Sequence, residues 1–247
     1  MYKSSQAIAL IVVIGTSLAV SNKPGIAQVH GGHHSLPSPT ATPESIKSDG
    51  VTEGYVNDGL TKLHQKDYKG AVESFGKAIA IQPNHHLAYI YRADIQLLLK
   101  NYQEAVDDYT KAIKLNPAHS HVRNGRGIAY AALGNYQQAI EDHTQAIKIY
   151  PEEGAGYRYR GAAYYQLGEN EKAMEDLDSA IARNEKDAQA YTIRGEVHAK
   201  LKNTPSAIAD YQQAAKLFLA QSNQPGYTKA TNLAKSLQQQ LTTPASK

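Results

Sequence analysis

The sequence predicts an all-α solenoid: five helix-turn-helix repeats in tandem, closed by one C-terminal capping helix. Three observations carry this. The segments AIAIQP, AIKLNP and AIKIYP end at Pro83, Pro117 and Pro151, each 34 residues after the one before, and a fixed period of that length marks a stacked-repeat architecture. Small and large residues then recur in phase with the period. Finally, the chain is 41% hydrophobic and 20% charged, a foldable composition, and has no cysteine, so disulfides, thiolate metal sites and cysteine nucleophiles are excluded. Seventeen Tyr against two Phe and no Trp fit aromatic positions buried along one edge and wet at the other.

The chain opens on an address. Lys3 supplies a positive start, Ala7 to Val20 form a 14-residue apolar run, and Gly25 and Ala27 stand three and one residues before a cut ahead of Gln28. This predicts a signal peptide over residues 1–27 and export to the periplasm or the exterior. Fourteen apolar residues fall short of the roughly 20 that span a bilayer; an uncleaved anchor is the alternative, and without it no membrane contact is expected. The net charge of +3 falls to +1 on cleavage, which gives no footprint for nucleic acid. Residues 28–50, rich in Pro, Ser, Thr, Gly and His, predict a disordered linker. Within it lie His30, His33 and His34. A mature start of Gln-Val-His would put His30 third from a free amine, a pattern that wraps Cu(II) or Ni(II) in a square plane. Metal handling is therefore the alternative function, set against a solvated linker or a cyclised Gln28.

Counting back from the prolines sets the repeats at 52–85, 86–119, 120–153, 154–187 and 188–221. The eighth position holds Gly59, Ala93, Gly127, Gly161 and Gly195. The twentieth and twenty-seventh are Ala throughout. The fourth is Tyr55, Tyr89, Arg123, Tyr157 and Tyr191, and the twenty-fourth Phe75, Tyr109, His143, Leu177 and Tyr211. Small residues let two antiparallel helices approach, and the large ones fill the space between neighbouring pairs. Asp67, Asn101, Asn135 and Thr204 are the expected N-caps of the second helices, with Pro205 at a first helical position. The prolines end those helices. Leu233, Leu237 and Leu241, at intervals of four beside Ala230 and Ala234, predict a capping helix over 225–241 and a disordered tail over 242–247,.

Arg92, Arg126, Arg160 and Arg194 recur at the seventh position, and Asp108, Asp142, Asp176 and Asp210 at the twenty-third. The first repeat has Asp58 and Ser74 there, so both types change together. This predicts an Arg–Asp pair between the two helices of repeats two to five.

On these residues the chain resembles the tetratricopeptide repeat (TPR) family over 52–221. It departs from the family where Tyr or Arg replaces a frequent Trp at the fourth position, and where Glu185 stands in place of the fourth repeat's closing Pro. The resemblance implies a right-handed superhelix whose concave face, made by the first helices, holds an extended peptide or a partner's helix. Carried onto this sequence, the contacting positions include Asn57, Leu60, Tyr91, Asp94 and Leu98 in the first two repeats. They include Asn124 and Ile128 in the third, Arg158, Tyr159 and Tyr165 in the fourth, and Glu196 in the fifth. Aromatic anchors supply buried area, and Asn side chains can hold a peptide backbone. The Lys/Asn clamp with which some relatives grip a C-terminal carboxylate is missing: Val56 and Leu60 occupy its first pair.

No phosphate-cradling, nucleophile-elbow or HExxH motif occurs, and nothing gathers a nucleophile, base and orienter. The expectation is a non-enzymatic scaffold without cofactor that binds a protein or peptide, with self-association open. His85, His86, His119 and His121 read as turn or surface residues, His143 as a core histidine with a hydrogen-bond partner, and Tyr130 and Tyr164 as core.

Overall fold

The protein is described here by a computed structural model covering residues 43–242, with side chains from Asp49 onward. The signal segment, residues 28–42 with His30, His33 and His34, and residues 243–247 lie outside the described residues. Among those described there are eleven helices and no strand. In order they are α1 (Pro43–His64), α2 (Tyr68–Ile81), α3 (His86–Leu98), α4 (Tyr102–Leu115), α5 (Ser120–Ala132) and α6 (Tyr136–Ile149). Then come α7 (Gly154–Leu167), α8 (Asn170–Arg183), α9 (Ala188–Lys200), α10 (Thr204–Ala220) and α11 (Gln224–Thr242). This is an all-α helical-repeat solenoid. The helices fall into two compact units, one ending at Leu115 and the other beginning at Asn116.

The first helix begins earlier than the linker reading allows. It takes in Pro43 to Gly50, residues expected to be disordered. No proline follows Pro43 before Pro83, and once the repeat's first helix is nucleated, extending it upstream is cheap.

Within each repeat the eighth position is the seat of the twenty-fourth. A methyl group placed on Gly59 would lie 2.8 Å from the Phe75 ring; on Gly127, 2.5 Å from His143; on Gly195, 2.7 Å from Tyr211; and on Gly161, 3.1 Å from Leu177. In these four repeats the large side chain rests on helix backbone that glycine leaves bare. The second repeat has Ala93 at that position, fully buried. The recurring alanines at the twentieth and twenty-seventh positions are buried in all five repeats, so the paired helices pack at close range.

The turns follow local chemistry. Asp67 accepts a hydrogen bond from Gly70 N–H at 3.0 Å, and Asp187 accepts from the N–H groups of Gln189 and Ala190, each satisfying donors left open at a helix start. Asn135 occupies its cap position without such a bond. The cap of α10 is Asn203 rather than Thr204, which is its first helical residue, so Pro205 sits one place further in. The α2, α4 and α6 helices end two residues before Pro83, Pro117 and Pro151. The α8 helix has no such proline. There Arg183 reaches back to the Pro151 carbonyl at 2.7 Å, donates to the Tyr157 hydroxyl at 3.1 Å, and lies 4.1 Å from that ring's centre.

The turn from first to second helix has a residue at positive φ in every repeat: Lys66, Lys100, Gly134, Gly168 and Lys202, at 62° to 82°. The α11 helix lays Ala230 on the cluster of Ala214 and Phe218, and Ala234 on that of Ala207 and Tyr211.

Candidate protein-binding surface

The seventh and twenty-third positions meet between the helices of a repeat. Arg92 donates to both carboxylate oxygens of Asp108 at 2.7 Å. Arg126–Asp142, Arg160–Asp176 and Arg194–Asp210 repeat the two-pronged geometry at 2.7–2.9 Å. The four carboxylates are buried and raise the affinity of each guanidinium for its proton. In the first repeat the polarity is reversed: Asp58 is the acceptor, Ser74 Oγ donates to it, and Lys62 bonds both at 2.8 and 2.9 Å. These arginines are consumed by the fold and do not form a free basic row.

The expected contact residues separate into two kinds. In the unit ending at Leu115, Leu60 and Tyr91 pack against the cluster of Val56, Phe75 and Ile95, with the Tyr91 and Phe75 ring centres 5.4 Å apart. Asn57 is exposed, while Leu60, Tyr91, Asp94 and Leu98 are half-buried. The Asp94 carboxylate accepts a hydrogen bond from the Tyr109 hydroxyl at 2.5 Å. Burial pushes its pKa up to about 6, against the pull of that hydrogen bond.

In the other unit four of the expected contact residues are not available. Asn124, Ile128, Arg158 and Tyr159 are 5%, 2%, 4% and 8% exposed. The fifth position, which holds Asn124 and Arg158, is buried in every repeat, as Val56, Ile90 and Thr192 also are; here it meets His143, which takes the twenty-fourth position and brings a polar ring into the core. Asn124 bonds its Nδ1 at 3.0 Å, and Tyr159 stacks on it at 5.4 Å. Arg158 lies 4.3 Å from the Tyr159 ring centre and donates to Asp187 at 2.7 Å and Gln189 at 3.1 Å. Burial, aided by Arg158 and Arg160, lowers the His143 pKa to about 3, so the ring is neutral. A chain of polar contacts thus runs from α5 to the start of α9 beneath the surface. Asp187 ends that chain, accepting from Arg158 while it caps α9, yet the repeat pattern did not single it out; its place just before an apolar helix was the available signal. What remains accessible in this unit is half-buried Tyr165 and Glu196. Lys200 lies 5.4 Å from the Tyr165 ring centre, and Lys229 bonds Glu196 at 3.2 Å.

The histidines at the turns have local partners. His85 Nδ1 accepts from Ala88 N–H at 3.1 Å, so its proton sits on Nε2, which faces Glu53 at 3.3 Å. His119 is bonded to Asn116 at 3.1 Å and stands 6.0 Å from His121. Among the described residues no group of three His, Cys, Asp or Glu could hold a metal, and no helix is long and apolar enough to cross a membrane. Tyr130 and Tyr164 are half-buried, each at the edge of the cluster of Ala139, Ile140 and Ala163.

Family models described as tetratricopeptide repeat match residues 52–85, 86–119, 122–153 and 160–224. No curated protein sequence matches the chain. Among solved structures it is similar to MamA of Desulfovibrio magneticus RS-1, at 18% identity and a TM-score of 0.63, over 69% of this chain and 96% of that one. It is similar to YrrB, a TPR protein with an unusual peptide-binding site, at 18% identity and a TM-score of 0.61, over 78% and 95% of the two chains. A third likeness is to PilW, a type IV pilus biogenesis factor, at 17% identity and a TM-score of 0.61, over 78% and 99%. At these identities the likeness is one of fold.

Proposed function

The chain belongs to the tetratricopeptide repeat family, and on that premise we propose that it is a scaffold without catalysis of its own. It holds a peptide or helix of a partner protein against its first helices. The observation that carries this reading is that the first helices α1 and α3 hold exposed Asn57 and the half-buried side chains of Leu60, Tyr91, Asp94 and Leu98, with Leu60 and Tyr91 against one cluster. Apolar, aromatic and amide-bearing groups at one surface are what polypeptide recognition draws on. The groups best suited to chemistry are spent elsewhere. His143 is buried against Asn124 and Tyr159, and Ser74 is buried with its hydroxyl held by Asp58, Lys62 and the Gly70 carbonyl. The charged start, apolar run and small residues at 25 and 27 support export.

Photo-crosslinkers placed singly at Asn57, Tyr91 and Leu98, and at the exposed outer-face residues Lys111 and Glu141, test this in the producing cell. The expected result is one protein crosslinked from the first three sites and not from the last two. Equal labelling from both sets, or none from the first, overturns the reading.

A further inference from the structure

We propose that the fifth repeat and capping helix form a docking surface for an acidic polypeptide, centred on Lys200 and Lys202. This names the partner chemistry of the scaffold reading above and rests on it.

The first observation is charge. Residues 188–242 contain Arg194, Lys200, Lys202, Lys216, Lys229 and Lys235 against two acids, Glu196 and Asp210. Both acids are already engaged, Asp210 by Arg194 at 2.7 Å and Glu196 by Lys229 at 3.2 Å. Exposed Lys200 and Lys202 have no carboxylate partner among the described residues. The preceding repeat has the opposite balance, with seven acids against five bases over residues 154–187, so the positive surface is confined to one end of this unit.

The second observation is that Lys200 is held in place. Its ammonium lies 5.4 Å from the centre of the Tyr165 ring. The ring face attracts a cation and limits the rotamers it visits, which reduces the ordering cost when an anion arrives. Lys202 stands two residues on, exposed in the turn after α9. It holds φ at 62°, as Lys66 and Lys100 do in the equivalent turns, and a side chain costs about 1 kcal/mol or more in that region. The neighbouring wall supplies no alternative cation, because Arg158 is buried and bonded to Asp187.

An extended acidic segment fits better than a membrane. Gln166 is exposed on α7, the helix that carries Tyr165, and Asn232, Ser236 and Gln240 are exposed on the capping helix α11; such amide and hydroxyl groups bond backbone rather than enter lipid.

The test uses the full chain and a fluorescein-labelled peptide of alternating Glu and Ser, with the Gln-for-Glu peptide and phosphatidylglycerol vesicles as comparisons. Anisotropy should show binding to the Glu peptide that weakens steeply with salt, and none to the Gln peptide. Lys200→Gln with Lys202→Gly should weaken binding by about tenfold or more, while Lys216→Gln leaves it unchanged. Lys202→Gly alone removes strain, so its several-fold loss of binding must come with a raised Tm and is not unfolding. No binding of the Glu peptide, binding unaffected by the double variant, or lysine-dependent binding to vesicles alone overturns the proposal. If the first-helix crosslinks persist while the Glu peptide fails, this inference falls and the scaffold reading stands. If the crosslinks are lost while the peptide still binds, the first-helix surface is the part that falls.

Discussion

Arg126 and Asp142 hold each other by two parallel hydrogen bonds, Nε to Oδ2 at 2.8 Å and Nη2 to Oδ1 at 2.7 Å, with the Asp142 side chain only 4% exposed. Removing one partner leaves the other's charge half-buried without its counter-ion, whereas replacing both with apolar groups does not. Asp142→Ala should therefore cost about 3 kcal/mol and lower the Tm more than Arg126→Met with Asp142→Leu. Thermal melts followed by circular dichroism compare the two, and the reverse order rejects a pair held mainly by its charges.

Acid stability should respond in opposite directions to two single changes. His143 has its pKa lowered to about 3 from 6.5, so between those values the unfolded chain binds a proton that the folded one does not, and stability is lost as pH falls. Asp94 has its pKa raised to about 6 from 3.8, so between those values the folded chain binds the extra proton and stability is gained as pH falls. His143→Phe should flatten the acid-side decline, by up to about 1.4 kcal/mol per pH unit, and Asp94→Asn should steepen it. Urea denaturation at a series of pH values from 7 to 4 reads both slopes.

His143→Phe also has a cost at neutral pH. Asn124 loses the acceptor or donor it meets at 3.0 Å, and an unpaired buried amide is worth about 1–3 kcal/mol. The added change Asn124→Leu should recover part of that loss, as measured by the midpoint at pH 7.

Backbone strain gives a prediction of the opposite sign. Lys100 holds φ at 65° in a turn where Gly134 serves the next repeat. Lys100→Gly should raise stability by about 1 kcal/mol and Gly134→Lys should lower it similarly. Equal effects of the same sign would show that φ is not what distinguishes the two turns.

A methyl group on Gly127 would meet the His143 ring at 2.5 Å, and that ring is fixed by Asn124 and Tyr159. Gly127→Ala should cost about 1–3 kcal/mol by overpacking. The same change at Gly161, where the neighbour is Leu177 at 3.1 Å, should cost less.

The fold was legible because its rule is stated five times over. Gly59 with Phe75, or Arg92 with Asp108, is a weak signal alone and a strong one when repeated 34 residues on. What the period could not show is the effect of a residue that breaks it. His143 fills a position that elsewhere holds an apolar or phenolic side chain, and its ring is bonded by Asn124 and stacked on Tyr159, with Arg158 against that second ring. Asn124 and Arg158 were expected at the surface because the contact positions came with the family resemblance, whereas the fifth position is buried in all five repeats of this chain. A test that mutates Arg158 or Tyr159 would therefore report on folding. The helix start at Pro43 was hidden for a different reason: residues 43–50 read by composition as linker, and their helix is continuous with that of the repeat downstream.

The seat of each large side chain lies within its own repeat, as Phe75 rests on Gly59 and Tyr211 on Gly195, and so does each Arg–Asp fork. A tandem copy or a loss of one 34-residue block would leave none of these partners orphaned, so the chain can change length by whole units. The contacts that cross blocks run from His143 to Tyr159 and from Arg158 to Gln189, with Arg160 on Thr144 and Arg194 on Asp178 beside them; they tie the third, fourth and fifth blocks, and those modules must be inherited together.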